Sequence, residues 1–129
     1  FSVGRKNIIY TYKMLDAIDL DTSANSSKTV TTTVDHMSIN IVWSGSTGTN
    51  TGAIVVQGTN KDPDASDFVA ADYFDLELSG GAVNLTGASG EHIIIFDKIP
   101  FRAIRLSYTN STHAAGTVSA IMSAKTIGA

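Results

Sequence analysis

The side chains with the most chemistry in this 129-residue chain are carboxylates. Asp62, Asp64, Asp67 and Asp72 crowd one short stretch and are the weak candidates for a calcium site, since hard cations take several oxygens at once. They lack the D-x-D-x-D-G spacing and its distal glutamate, so a solvated acidic loop is the plainer reading and no metal is expected. His36, His92 and His113 show no two-ligand spacing that would hold zinc. His92 stands out among them because it opens an apolar run, where a hydrogen-bonded strand-end histidine is expected. The chain has no cysteine, and no serine sits in G-x-S-x-G, which removes the usual marked nucleophiles. Asp75 and Glu77 share a strand face, but glycosidase chemistry needs such a pair in a cleft. The loop S-G-S-T-G-T-N-T-G from Ser44 to Gly52 looks like a phosphate cradle, yet it has no Lys-Ser/Thr ending and no helix pattern follows. The triplets opened by Asn25, Asn84 and Asn110 fit a glycosylation pattern that so Ser- and Thr-rich a chain produces by chance. The expectation is a protein that is not an enzyme, with no cofactor.

Binding chemistry is better represented. Arg105 lies on the polar side of the alternation Ile104 to Tyr108, where it can meet a carboxylate across its own sheet or on a neighbouring subunit. The intramolecular partner is preferred. Tyr10, Tyr12, Tyr73 and Tyr108 could stack sugars, although tyrosines on alternating strands more often fill a core. Residues 1–7 are expected to form a flexible N-terminal arm, polar and basic through Arg5 and Lys6, with Phe1 and Val3 as its apolar anchors. Phe1, Val3, Arg5, Lys6, Tyr10, Tyr12 and Arg105 are therefore the interface candidates.

The elements that must position these residues read as strands. Fourteen Ser, fifteen Thr and 11 Gly favour strands and turns over helices. Ile8 to Leu15 alternates, with Ile8, Tyr10, Tyr12 and Met14 on one face; Lys28 to Val34 alternates next. Met37, Ile39, Ile41 and Trp43 form the cleanest inward row, and the Trp43 indole is expected to reach a carbonyl or water. Ala53 to Gln57, Phe74 to Leu78, Val83 to Leu85 and Thr117 to Lys125 follow. Residues 63–70 admit one short helical turn opened by Pro63, with Phe68 and Val69 tucked down. The chain is organised around Glu91 to Thr109. There the continuous run His92 to Phe96 predicts a strand covered on both faces, and Pro100 forces a hairpin or a sheet-crossing corner before the next strand. Nine or ten strands at such spacing predict a single all-β domain over 1–129, an antiparallel two-sheet sandwich of jelly-roll-like form.

Charge and length bound the partners. The net charge of -3 argues against nucleic acid as a partner, and no apolar run is long enough to span a bilayer, so no membrane partner is expected. Residues 36–97 hold one base against eight acids, while the remainder holds eight bases and four acids. If the fold kept these blocks apart, copies could meet acidic side to basic side, but charges mixed in space are the preferred expectation. Freedom from cysteine suits assembly in a reducing compartment. The chain opens on Phe1, as a mature pilin can, but Gly4-Arg5-Lys6-Asn7 stands where a pilin needs an apolar helix.

From Ile41 onward the sequence resembles small β-sandwich structural proteins of tailed bacteriophage particles. The residues that carry this are I-V-W-S-G at 41–45, V-V-Q-G-T-N at 55–60, G-A-S-G at 87–90, P-F-R-A-I-R-L-S-Y-T at 100–109 and G-T-V-S-A at 116–120. The resemblance implies a virion component, a capsid decoration or cement protein or a fibre or tail accessory. Its implied partners are the major capsid protein or other virion proteins, and a homo-oligomer is expected. The acidic stretch Lys61 to Asp72 is longer than the resemblance suggests and marks a contact peculiar to this chain. The alternatives are a carbohydrate-binding module of a fibre or adhesin, and a self-polymerising filament whose strand Ile8 to Leu15 completes the next subunit's sheet.

Overall fold

An alternating strand buries its apolar row only by lying against a second layer, so a chain made of such strands closes into two stacked sheets. The computed structural model describes residues 8–26, 29–30, 36–76, 82–96 and 101–126. Among these residues there are ten strands: β1 (Ile8–Asp19), β2 (Ala24–Asn25), β3 (Thr29–Val30), β4 (His36–Ser44), β5 (Gly52–Thr59), β6 (Phe74–Asp75), β7 (Val83–Asn84), β8 (Gly90–Phe96), β9 (Ala103–Asn110) and β10 (Thr117–Thr126). One sheet runs β1-β10-β4-β8. The other runs β2-β9-β5-β6, with β3 also on β9 and β7 also on β5. The protein is an all-β sandwich of two antiparallel sheets, as the alternation predicts.

The pairings are nested. β1 pairs with β10, β2 and β3 with β9, β4 with β8, and β5 with β6 and β7, so the chain is wound as one long hairpin folded over itself. Between the sheets lie Ile39, Ile41 and Trp43 of β4, Ala120 and Met122 of β10, Ile54 and Val56 of β5, and Leu106 and Tyr108 of β9, all buried. The expected inward row on β4 is present in full.

Several expectations are corrected. β8 and β9 are not a hairpin, because β8 pairs with β4 in one sheet and β9 with β5 in the other; the sheet-crossing alternative is the one realised. β8 is covered on one face only, with Ile94 buried at 7% exposure while Ile93 and Ile95 stand 57% and 71% exposed. The continuous apolar run therefore reflects an edge strand with an uncovered outer row. In β1 the register slips between Lys13 and Leu15 and again between Leu15 and Ile18. The bulge turns both Met14 and Leu15 inward, which strict alternation would forbid. The short helical turn expected near 63–70 is present as a 3-10 turn at Ala70–Asp72, entered from Val69 and not opened by Pro63. It is closed reciprocally by Asp72, whose amide donates to the Val69 carbonyl while its carboxylate accepts from the Val69 N–H. Val69 and Phe74 point to solvent instead of the core. Of the expected strand Lys28 to Val34, Thr29–Val30 is present and residues 28 and 31–35 lie outside the described residues.

Candidate functional site

The acidic segment folds back over the outer face of β5 and β9. Gln57 and Arg105 are register partners on that face, and Arg105 Nε donates to Gln57 Oε1 at 2.8 Å. Gln57 Nε2 in turn donates to Asp75 Oδ1 at 2.7 Å. The Arg105 guanidinium lies 4.2 Å from the centroid of the Tyr73 ring, and Phe68 meets that ring edge-on at 5.5 Å. Arg105 thus has intramolecular partners, but they are an amide and an aromatic face, with the carboxylate one step further out. Stacking suits it because guanidinium is planar and weakly hydrated.

The four candidate calcium ligands are not brought together. Asp72 accepts a hydrogen bond from Lys61 Nζ at 2.8 Å, and Asp62 pairs with Arg102 at 3.5 Å while accepting from the Asp64 amide. The hydrogen bond from Lys61, with the Val69 amide behind it, holds the Asp72 carboxyl below its ordinary value, and the same bond raises Lys61. Among the described residues no group of three or more His, Cys, Asp or Glu side chains could hold a metal ion. Arg102 comes from the basic block and Asp62 from the acidic one, so charges here mix in space.

The buried histidine is His113, not His92, which is exposed. His113 Nε2 sits 2.7 Å from the Leu85 carbonyl oxygen, which can only accept, so Nε2 carries the proton. Nδ1 faces Ser46 Oγ at 2.5 Å. Around it, Asn110 bonds the His113 amide and carbonyl as well as the Asp21 carbonyl. Thr51 accepts from the Thr112 amide through its carbonyl, and the Thr51 amide donates to Thr112 Oγ1. With the Ser46 amide donating to the Ala88 carbonyl and the Gly87 amide to the Asn50 carbonyl, these bonds lash the loop Ser44 to Gly52 to the turns at 85–88 and 110–113. No sequence spacing announces this knot, because the two partners of the His113 ring lie 28 and 67 residues away in the chain.

Two tyrosines offered as sugar platforms are inside. Tyr108 is 1% exposed and donates to the Leu20 carbonyl at 2.7 Å; Tyr73 lies beneath Arg105. Tyr12 is 38% exposed. Phe1, Val3, Arg5 and Lys6 lie outside the described residues, as does the side chain of Tyr10. β1 is hydrogen-bonded to β10 of its own chain along its whole length, so it is not a strand held in reserve for a neighbour.

The remaining surface feature is apolar. Val42, Ile93, Ile95 and Ile121 are exposed and share the outer face of the sheet β1-β10-β4-β8. Ile121 and Ile93 stand in one row on either side of Asn40, and Val42 is diagonal to both. At the end of this face a shallow groove is lined by His36, Ser38, Ile95, Phe96, Ser123 and Lys125. Apolar side chains gathered on an exposed sheet face are a feature of interaction sites.

No family model matches the chain, and no curated protein does. Among solved structures, the SPBc2 prophage-derived protein YomS aligns over 98% of this chain and 100% of its own, with a TM-score of 0.61 and 12% identity. A structure of infectious bursal disease virus, Gx strain, aligns over 96% of this chain and 33% of the viral one, with a TM-score of 0.48 and 11% identity. At these identities the likeness is one of fold.

Proposed function

We propose that this chain is a non-enzymatic structural protein of a bacteriophage particle, a decoration or cement protein that binds the capsid shell and stabilises it. Its place is the virion, its partner the major capsid protein or another virion protein, and it acts as a homo-oligomer without cofactor, nucleic acid or membrane. The observation that carries the reading is the end-to-end likeness in fold to a prophage-derived protein, which spans both chains with nothing left over on the other side. The nested strand pairing supports a jelly-roll winding, a form that viral shell domains use. The internal use of polar groups supports it too. Arg105, Gln57, Asp72, His113 and Asn110 all serve intramolecular bonds, while Val42, Ile93, Ile95 and Ile121 are left exposed on one sheet.

The test is a binding experiment with purified chain and shells that lack it. Full-length chain is expected to co-sediment with shells to a fixed stoichiometry, and a chain lacking residues 1–7 to remain folded but lose binding. Undiminished binding of the shortened chain would remove the arm from the docking role. No binding by the full chain would remove the role itself.

A further inference from the structure

We propose that β8 is the dimerisation strand: a second copy of this chain pairs its own β8 antiparallel to it across a two-fold axis, joining the two β1-β10-β4-β8 sheets into one. The two edges of this sheet are built differently. β1 carries two register slips, exposed Lys13 and Asp16, and Ala17 at a φ of 49°, all devices that spoil an edge for pairing. β8 has neither slip nor positive φ, and its one charged side chain, Glu91, stands near its start. It runs in unbroken register against β4 from Gly90 to Phe96, with no lysine, proline or bulge, and no described strand pairs with its other side. Its outer row is Ile93 and Ile95, continued inward by Val42 and Ile121.

The occupant follows from chemistry and symmetry. β8 has an acid, Glu91, near its start, while the groove at its far end carries Lys125 with His36 beside it. An antiparallel copy reverses that order and brings each acidic end toward the other's basic end, twice over. One register pairs all seven residues: Ile93 opposes Ile93 of the second copy, Glu91 opposes Ile95, and His92 opposes Ile94. Opposed residues then lie on the same side, so both apolar outer rows merge into one. The bulged β1 edge cannot take the same partner in good register, so assembly closes at two copies and does not run on as a filament. The exposed apolar area is modest beside a standard interface of roughly 800 Å² per partner, so the dimer is expected to dissociate in the micromolar range.

This inference specifies the oligomer included in the proposed role, and rests on that role only for its setting. Its test uses purified chain without particles, so either can fail alone. Sedimentation over rising concentration is expected to show monomer passing to dimer and stopping there, with Ile95→Lys remaining monomeric at every concentration while keeping the wild-type thermal unfolding curve. The chain has no cysteine of its own. Under diamide, Ile93→Cys is therefore expected to form a disulfide-linked dimer, whereas Ile121→Cys, two strands in from the edge, is not. A monomer throughout, species that grow past the dimer, or equal cross-linking at both positions would each overturn the proposal.

Discussion

Two core aromatics owe their places to glycines. In the register of β4 and β8, Trp43 faces Gly90, and a Cβ there would run into the indole ring. Gly52 leaves room for Tyr108 in the same way: a Cβ would fall 2.6 Å from its hydroxyl oxygen. Overpacking of this kind costs about 1–3 kcal/mol. Gly90→Ala is therefore expected to lower stability by about that amount and to shift Trp43 emission toward the red, as the indole is pushed outward. An unchanged denaturation midpoint with unchanged emission would contradict the seat. The inward faces of Trp43 and Tyr108 are legible from alternation alone. Their glycine seats are not, because Gly52 and Gly90 sit where the sequence reads as turn. The Trp43 indole Nε1, expected to find a carbonyl, is buried with no acceptor among the described residues.

Burial pushes the phenols of Tyr73 and Tyr108 up; the Arg105 guanidinium opposes the rise at Tyr73, and the Asp21 carboxylate adds to it at Tyr108. A phenol whose folded value is raised contributes stability that is complete below its ordinary value of 10.0 and lost as pH rises through the folded value. Alkaline titration followed by tyrosinate absorbance should show these two ionising late, together with unfolding. Simple ionisation of Tyr73 and Tyr108 near pH 10.0, with the fold intact, would contradict their burial.

At the scale of elements, the acidic segment is the clearest case of a role that periodicity could not reveal. Its residues show no alternation, and its anchor is a contact between positions 73 and 105 that only the closed sandwich creates. Arg105→Ala removes the guanidinium from the Tyr73 ring and from Gln57 at once. A partly exposed cation–π contact is worth about 0.5–1 kcal/mol, so the sheets should melt almost as before. The segment 61–75 should instead be cut faster by protease. Unchanged cleavage would mean that Lys61–Asp72 and Arg102–Asp62 hold it unaided. β1 and β8 teach a related lesson. A bulge interrupts the very alternation used to find strands, which hides the inward turn of both Met14 and Leu15. A run such as His92 to Phe96 looks the same whether its second face meets its own chain or another, so sequence alone assigned the cover wrongly.

Across the whole molecule, the two-sheet sandwich follows from apolar rows at period two separated by Gly-rich turns. The knot at one end of the sandwich does not follow. His113, Ser46, Leu85 and Asn110 come from three separated stretches, and no spacing in the chain marks any of them as a partner of the others. Cement on a shell needs rigidity and adhesion together, which the proposed role asks of the internal polar bonds and of the exposed Val42, Ile93, Ile95 and Ile121. The most direct measurement of that claim is the temperature at which shells burst, with and without saturating chain. The account predicts that occupied shells burst at a distinctly higher temperature, and that the gain is lost when the chain is stripped off. Shells that bind the chain and burst at the temperature of bare ones would contradict it.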